Sequence, residues 1–227
     1  MLDLQGLSHV DHSSKIFAIR PAENPQVTCV TIPTKFLIRT VGMALSRNAA
    51  TQRHTAFVLL DSHPSLRSAA GWIFEHSAHI ILSNPNRDPL LTHISNTMGP
   101  TIPSTKEMIS GSDALRGVQR PFDFYWRPRE PNFPGVDALI CKGNEVWVLQ
   151  YTISNSHRSA TEGLVRVHSL MNHKRWVTWY LVILGSSLSY AEEVRKKQQT
   201  DCWEELTNVS ACELPFTGEW PCEEIEE

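Results

Sequence analysis

The sequence predicts an α/β fold, and three observations carry the prediction. From Pro64 onward the local signals run helix, strand, strand, strand, helix, strand, the order of an αβββαβ core whose mixed sheet is flanked by helices. Residues 177–184 (VTWYLVIL) form a nearly unbroken apolar run closed by Gly185, as expected of a strand buried on both faces. Lys142-Gly143-Asn144-Glu145 places a Gly-Asn pair between two apolar runs, a signal for a two-residue hairpin turn.

The elements follow in order. Residues 26–32 read as a short strand on Val27, Thr28, Val30 and Thr31. Pro33 then opens a helix that carries Phe36, Leu37, Val41, Met43, Ala44 and Leu45, and 48–54 reads as a loop. One strand and one helix bury too little to stand alone, so 1–60 is expected to be an amino-terminal extension. A helix starting within 64–68, with Ser62 or Ser65 as cap, runs through Leu82 and stops at Ser83-Asn84-Pro85-Asn86. Residues 87–120 read as loop-rich, and 122–127 (FDFYWR) as a strand closed by Pro128. Strands over 135–141 and 145–154, a helix over 159–172, the strand over 177–184 and a polar helix over 195–206 complete a domain spanning 61–210. Residues 211–227 read as an acidic, disordered tail.

Composition narrows the class. The chain is 41% hydrophobic and 20% charged, enough for a real core, which excludes collagen and long disordered chains. No run of eighteen apolar residues exists, and residues 1–10 lack a basic-then-apolar pattern, so neither a membrane span nor a signal peptide is expected. Cys29, Cys141, Cys202, Cys212 and Cys222 are odd in number and contain no C-x-x-C pair, which fits a reducing, intracellular compartment without a zinc ribbon. The net charge is −3, but Glu219, Glu223, Glu224, Glu226 and Glu227 sit in the last ten residues; without them the chain is +2. Mild basicity of the body permits nucleic-acid contact without arguing for it.

The hairpin is where geometry is predictable. With Gly143 and Asn144 central, Lys142 faces Glu145 and Asp137 falls across from Gln150 on the same side of the sheet. Thr152 shares that side by alternation, and the rest of that face (Leu139, Cys141, Val146, Val148) is apolar. A carboxylate there needs a partner or a metal: Asp137 and Gln150 are either a hydrogen-bonded pair stitching the hairpin end or a ligand pair. Glu75 lies in a helix among Ile73, Phe74, Ala78, Ile81 and Leu82, and is either an exposed edge or an aimed carboxylate. His157 and Arg158 follow the third strand closely and offer a base and a phosphate contact. His76 and His79 are three apart but have no further ligand at metal spacing.

Three segments in this order resemble a known family. They are Ala70-Gly71-Trp72-Ile73-Phe74-Glu75 with His79, Phe133-Pro134-Gly135-Val136-Asp137-Ala138, and Leu149-Gln150-Tyr151-Thr152-Ile153-Ser154 with His157. Together they look like the PD-(D/E)XK restriction-endonuclease-like fold, and more narrowly the carboxy-terminal nuclease domain of Crinkler effectors and related retrotransposon-hotspot proteins of fungi and oomycetes. The likeness covers about 60–185. It implies hydrolysis of DNA phosphodiesters (RNA being the alternative substrate) with Mg2+ or Mn2+, little sequence preference, a nuclear site of action and a homodimer that cuts both strands. It also implies an NTPase module supplied elsewhere, because this chain has no Gly-Lys dipeptide and so no phosphate-binding G-x-x-x-x-G-K-[ST] loop.

The resemblance assigns roles residue by residue. Asp137 anchors the cation, with the Gln150 side-chain carbonyl, the Tyr151 backbone carbonyl and Glu75 completing the set; His157 is the base, and Arg158 contacts a phosphate. The family pattern is broken at two places: it has a carboxylate where Gln150 stands and a lysine where Thr152 stands. His157, Arg158 or Lys174 is expected to do the lysine's work. The competing reading is a degenerate domain that binds nucleic acid or a host protein without cutting.

Overall fold

The computed structural model describes residues 18–21, 28–31, 50–62, 67–95, 97–130, 133–155, 158–171, 177–199 and 203–214. The chain divides into two compact units, Met1–His76 with Thr217–Glu227, and Ser77–Phe216.

In the first unit, β1 (Ala18–Pro21) and β2 (Thr28–Thr31) pair antiparallel, with Ala18 opposite Thr31. The helix predicted to open at Pro33 lies outside the described residues. Helix α1 (Ala50–Asp61) includes most of the stretch expected to be a loop. Its polar first turn gives little local signal. Phe57, however, is buried and meets the Phe74 ring at 6.3 Å, and such packing stabilises short helices more than propensity does. Helix α2 (Arg67–Ser83) begins and ends as the sequence predicts, stopped by Asn84-Pro85. Arg67 Nε reaches Asp61 across the connection at 3.4 Å.

The second unit is built on an eight-stranded mixed sheet. Its strands are β3 (Leu90–Ile94), β4 (Thr97–Ile102), β5 (Glu107–Ser110), β6 (Phe122–Arg127), β7 (Ala138–Gly143), β8 (Glu145–Thr152), β9 (Thr178–Gly185) and β10 (Leu206–Glu213). They lie in the order β4-β3-β10-β9-β8-β7-β6-β5. Helices α3 (Ser112–Arg116), α4 (Thr161–Leu170) and α5 (Leu188–Gln199) connect them. The protein is therefore α/β with helices flanking a mixed sheet, as predicted. Strands β6, β7 and β8 form an antiparallel meander, and β8, β9 and β10 are parallel, joined by α4 and α5. Because both crossovers step in the same direction, a common hand puts α4 and α5 on one face. One apolar cluster accordingly joins Leu164, Val167, Ala191 and Val194 to Trp126, Leu139, Val148, Ile183 and Ala211.

Three expectations are corrected here. Residues 87–120 hold three strands and a helix, not loop; the strands are short, and β4 carries Pro100, which an edge strand tolerates. Helix α5 starts at Leu188 rather than 195, and Leu206 opens a strand instead of ending a helix. Strand β10 runs through Glu213, so the first residues of the expected tail are in the sheet, and Ala211 and Cys212 are buried there. Among the described residues no helix is long and apolar enough to cross a membrane.

Candidate active site

The predicted hairpin register is present. Lys142 pairs with Glu145 and the ladder continues to Ala138 opposite Leu149. Gly143 has φ of 60°, while Asn144 is not among the residues with positive φ, so the turn is of the Gly-first II′ kind.

One step further the prediction needs correcting. Asp137 does not extend the ladder to face Gln150. Its N–H donates to Leu149 O at 3.0 Å, and its Oδ2 accepts the Tyr151 N–H at 2.6 Å. The cause is the Pro134-Gly135 turn. Gly135 has φ of 60°, and a Cβ there would lie 2.5 Å from Ser159 O. On the other side of the same turn, a Cβ on Gly163 would lie 1.9 Å from Pro134 O. Two glycines thus let the 134–137 backbone press against the start of α4, which draws the chain off the ladder before Asp137. The aspartate carboxylate then takes the place of a strand partner for Tyr151.

Backbone alternation extends this arrangement. Ser186 N–H donates to Thr152 O at 3.2 Å, so Thr152 turns its polar groups toward β9. Tyr151 therefore turns its N–H and its carbonyl toward the β7 side, where Asp137 stands. One charged oxygen group and one neutral carbonyl share that edge.

Gln150 has a different environment. It is fully buried; its Nε2 donates to Arg158 O at 3.0 Å, and its Oε1 accepts from Gln198 Nε2 at 3.3 Å. Gln198 Nε2 also donates to Arg158 O at 2.7 Å, and its Oε1 accepts the Ala160 N–H at 3.1 Å. The two amides hold the 158–160 segment between β8 and α5. Thr152 Oγ1 closes a local turn, donating to Ser154 O at 2.6 Å and accepting the Ser154 N–H. Sequence reasoning missed Gln198, although Ala191, Val194 and Gln198 stand at helical spacing and all are buried. Replacing Gln150 with leucine is expected to destabilise the protein by about 2 kcal/mol, since a buried amide loses its partner and Arg158 O loses a donor. In a denaturant double-mutant cycle with Gln198→Leu, a coupling of about 1 kcal/mol is expected. Strict additivity would mean the two amides act independently.

The opposite face carries a second polar chain. His79 Nδ1 and Tyr125 Oη lie 2.5 Å apart, and Tyr125 Oη and Tyr151 Oη 2.9 Å apart, with both tyrosines buried. Tyr151 is thereby fixed at its ring as well as at its backbone.

The remaining predicted residues divide by location. Glu75 belongs to the first unit, partly exposed on α2, whereas the Asp137–Tyr151 grouping is a feature of the second unit alone. Arg158 is exposed, its carbonyl engaged as above. His157 and Lys174 lie outside the described residues.

The donor set fits a hard cation in part. A carboxylate such as Asp137 offers more than one lone pair, and Mg2+ binds through one or two carboxylates while keeping several waters. Gln150 Oε1 would have to share with Gln198. Among the described residues no group of three or more His, Cys, Asp or Glu side chains is gathered; Asp137 and the Tyr151 carbonyl are the oxygen donors that the 137–151 contact brings to one edge. No family model, no curated protein and no solved structure matches this chain.

Proposed function

We propose that this protein is a Mg2+- or Mn2+-dependent nuclease of the PD-(D/E)XK type, Crinkler-like, hydrolysing DNA phosphodiesters with little sequence preference and acting in the nucleus. The observation that carries this reading is Asp137, held by the Tyr151 N–H at 2.6 Å on the edge to which the Tyr151 carbonyl also turns. The order helix, antiparallel meander, helix, parallel strand around it supports the same reading. A bound cation would polarise the scissile phosphate and lower the pKa of a water.

The protein's own groups supply the rest. Asp137 would hold the cation with the Tyr151 carbonyl, and the Gln150–Gln198 pair keeps the 158–160 segment, and with it Arg158, in place. Arg158 would contact a phosphate, with Lys174 as a second contact. His157 is proposed as the base that takes the proton from the attacking water. Thr152, where the family pattern has lysine, would cap the turn that leads to these residues.

A binding domain that does not cut is the second reading. The observation in its favour is the fully buried Gln150 amide, committed to Gln198 where the family pattern has a carboxylate. Incubation of supercoiled plasmid with the purified chain separates the two. The nuclease reading expects nicking with Mg2+ or Mn2+ and none after chelation. Salt-sensitive DNA association with no nicking under either ion would leave the binding domain and remove the nuclease.

A further inference from the structure

The end of the sheet that carries Asp137 also carries two arginines whose setting points to a ligand. The register that pairs Trp126 with Leu139 brings Arg127 alongside Ala138, the neighbour of Asp137. Arg127 and Arg129 are both exposed, and neither makes an ion pair among the described residues.

Three hydrogen bonds fasten this end of β6. Gly111 N–H donates to Arg127 O at 3.0 Å, and Trp126 Nε1 donates to Gly111 O at 2.9 Å. Arg129 Nε donates to Ser110 Oγ at 2.9 Å, which orients the exposed guanidinium through its inner nitrogen. The stem of Arg129 lies on Gly111, where an added Cβ would come within 3.1 Å of Cδ; Gly111 has φ of 83°. The nearby acid does not compete. Glu130 accepts from Ser112 Oγ at 2.7 Å and faces Arg166 at 3.4 Å, and the Ser112 bond, ahead of the charges nearby, holds its carboxyl below the ordinary value.

The Trp126 bond satisfies a core indole, but holding the exposed Arg129 side chain on Ser110 costs conformational freedom, and a guanidinium oriented in advance loses less entropy when it meets an oxyanion. We propose that Arg127 and Arg129 form a phosphate-contacting flank beside Asp137, bound by the sugar-phosphate backbone of duplex DNA. The inference rests on the nuclease reading for the identity of the polyanion, and needs no cleavage to be tested. With a net charge of −3, and only +2 without its last five glutamates, the chain offers a polyanion little overall attraction, so binding would depend on local clusters such as this one.

The test is fluorescence anisotropy of a labelled duplex against salt, in chelator, with wild type and the Arg127→Ala/Arg129→Ala double variant. Each lost phosphate contact makes the plot of log affinity against log salt shallower by about 0.9, so the double variant should be shallower by about 2 and bind roughly tenfold or more weakly. Lys106→Ala/Lys142→Ala changes formal charge equally at the opposite end of β6 and β7, near Asp123, and should leave the slope unchanged. Equal slopes for wild type and the arginine variant would overturn the proposal. So would an equal loss in the lysine variant, or no salt-sensitive binding by wild type. Loss of binding in the arginine variant from a wild type that never nicks plasmid would uphold this surface and sink the nuclease instead.

Discussion

Gly163→Ala is expected to lower the melting temperature by roughly 4–8 °C, the size of about 2 kcal/mol in a domain of this length. Two effects oppose one another. Alanine inside a helix is favoured over glycine by about 1 kcal/mol. Against this, the new methyl carbon would stand 1.9 Å from Pro134 O and 2.7 Å from Val136 Cγ2. The first contact is with backbone, so no rotamer change relieves it; the 134–137 turn must move by more than an ångström. Overpacking that shifts backbone costs typically 1–3 kcal/mol and sometimes more. The clash therefore outweighs the propensity gain. Gly117 supplies the internal comparison, because its φ of −85° is open to alanine and an added Cβ would meet nothing closer than 3.7 Å. Gly117→Ala should melt at or slightly above wild type. A Gly163→Ala protein that melts no lower than Gly117→Ala would mean that the turn is not seated against α4.

That contrast explains how much the sequence could tell. Strand β6 was legible because its aromatic run has few other solutions, and β9 because an apolar run of that length ending in glycine fits a doubly covered strand. The end of α2 was legible because Asn84-Pro85 forbids another turn. Strand β10 was not: LTNVSACE carries Asn208 and Ser210 in its interior, and Ser210 is fully buried there. Only neighbours on both sides make such a polar segment a strand. The edge strands β4 and β5, and β3 beside β4, were hidden by Pro89, Pro100 and Pro103.

The site divides along the same line. The hairpin register came from a local rule, the geometry of a two-residue turn, and it holds from Lys142–Glu145 to Ala138–Leu149. The Asp137–Gln150 pairing extrapolated that rule by one row and failed, because Gly135 and Gly163 act through a contact with α4 that is 28 residues distant in sequence from one to the other. Gln198 was out of reach for a similar reason: its helical spacing from Ala191 and Val194 marks the inward face, but nothing local shows that the amide reaches Arg158 O and Ala160 N–H. Residue types were legible, while the partners that tertiary packing assigns to them were not.

Asp137→Asn is expected to remove cleavage while leaving the fold in place, and the reason lies in the bond to Tyr151. Asparagine keeps an oxygen that can accept the Tyr151 N–H, so the turn retains its anchor and stability should change by no more than about 1 kcal/mol. The charge is lost, and with it the anchoring ligand of a hard cation; several kcal/mol of barrier lowering correspond to roughly three orders of magnitude in rate. Plasmid nicking, Mn2+ titration and a thermal melt read the three quantities separately. The nuclease reading expects nicking and Mn2+ affinity to fall together and the melt to hold. It also expects divalent ions to strengthen DNA binding by wild type but not by Asp137→Asn, because only wild type presents a site where the cation bridges carboxylate and phosphate. A binding domain without a metal gives the other pattern: divalent ions weaken binding in both proteins through screening alone, and the asparagine variant binds somewhat more tightly because one negative charge beside Arg127 is gone. The sign of the divalent effect on wild type thus decides whether Asp137 serves a metal or only the end of a hairpin.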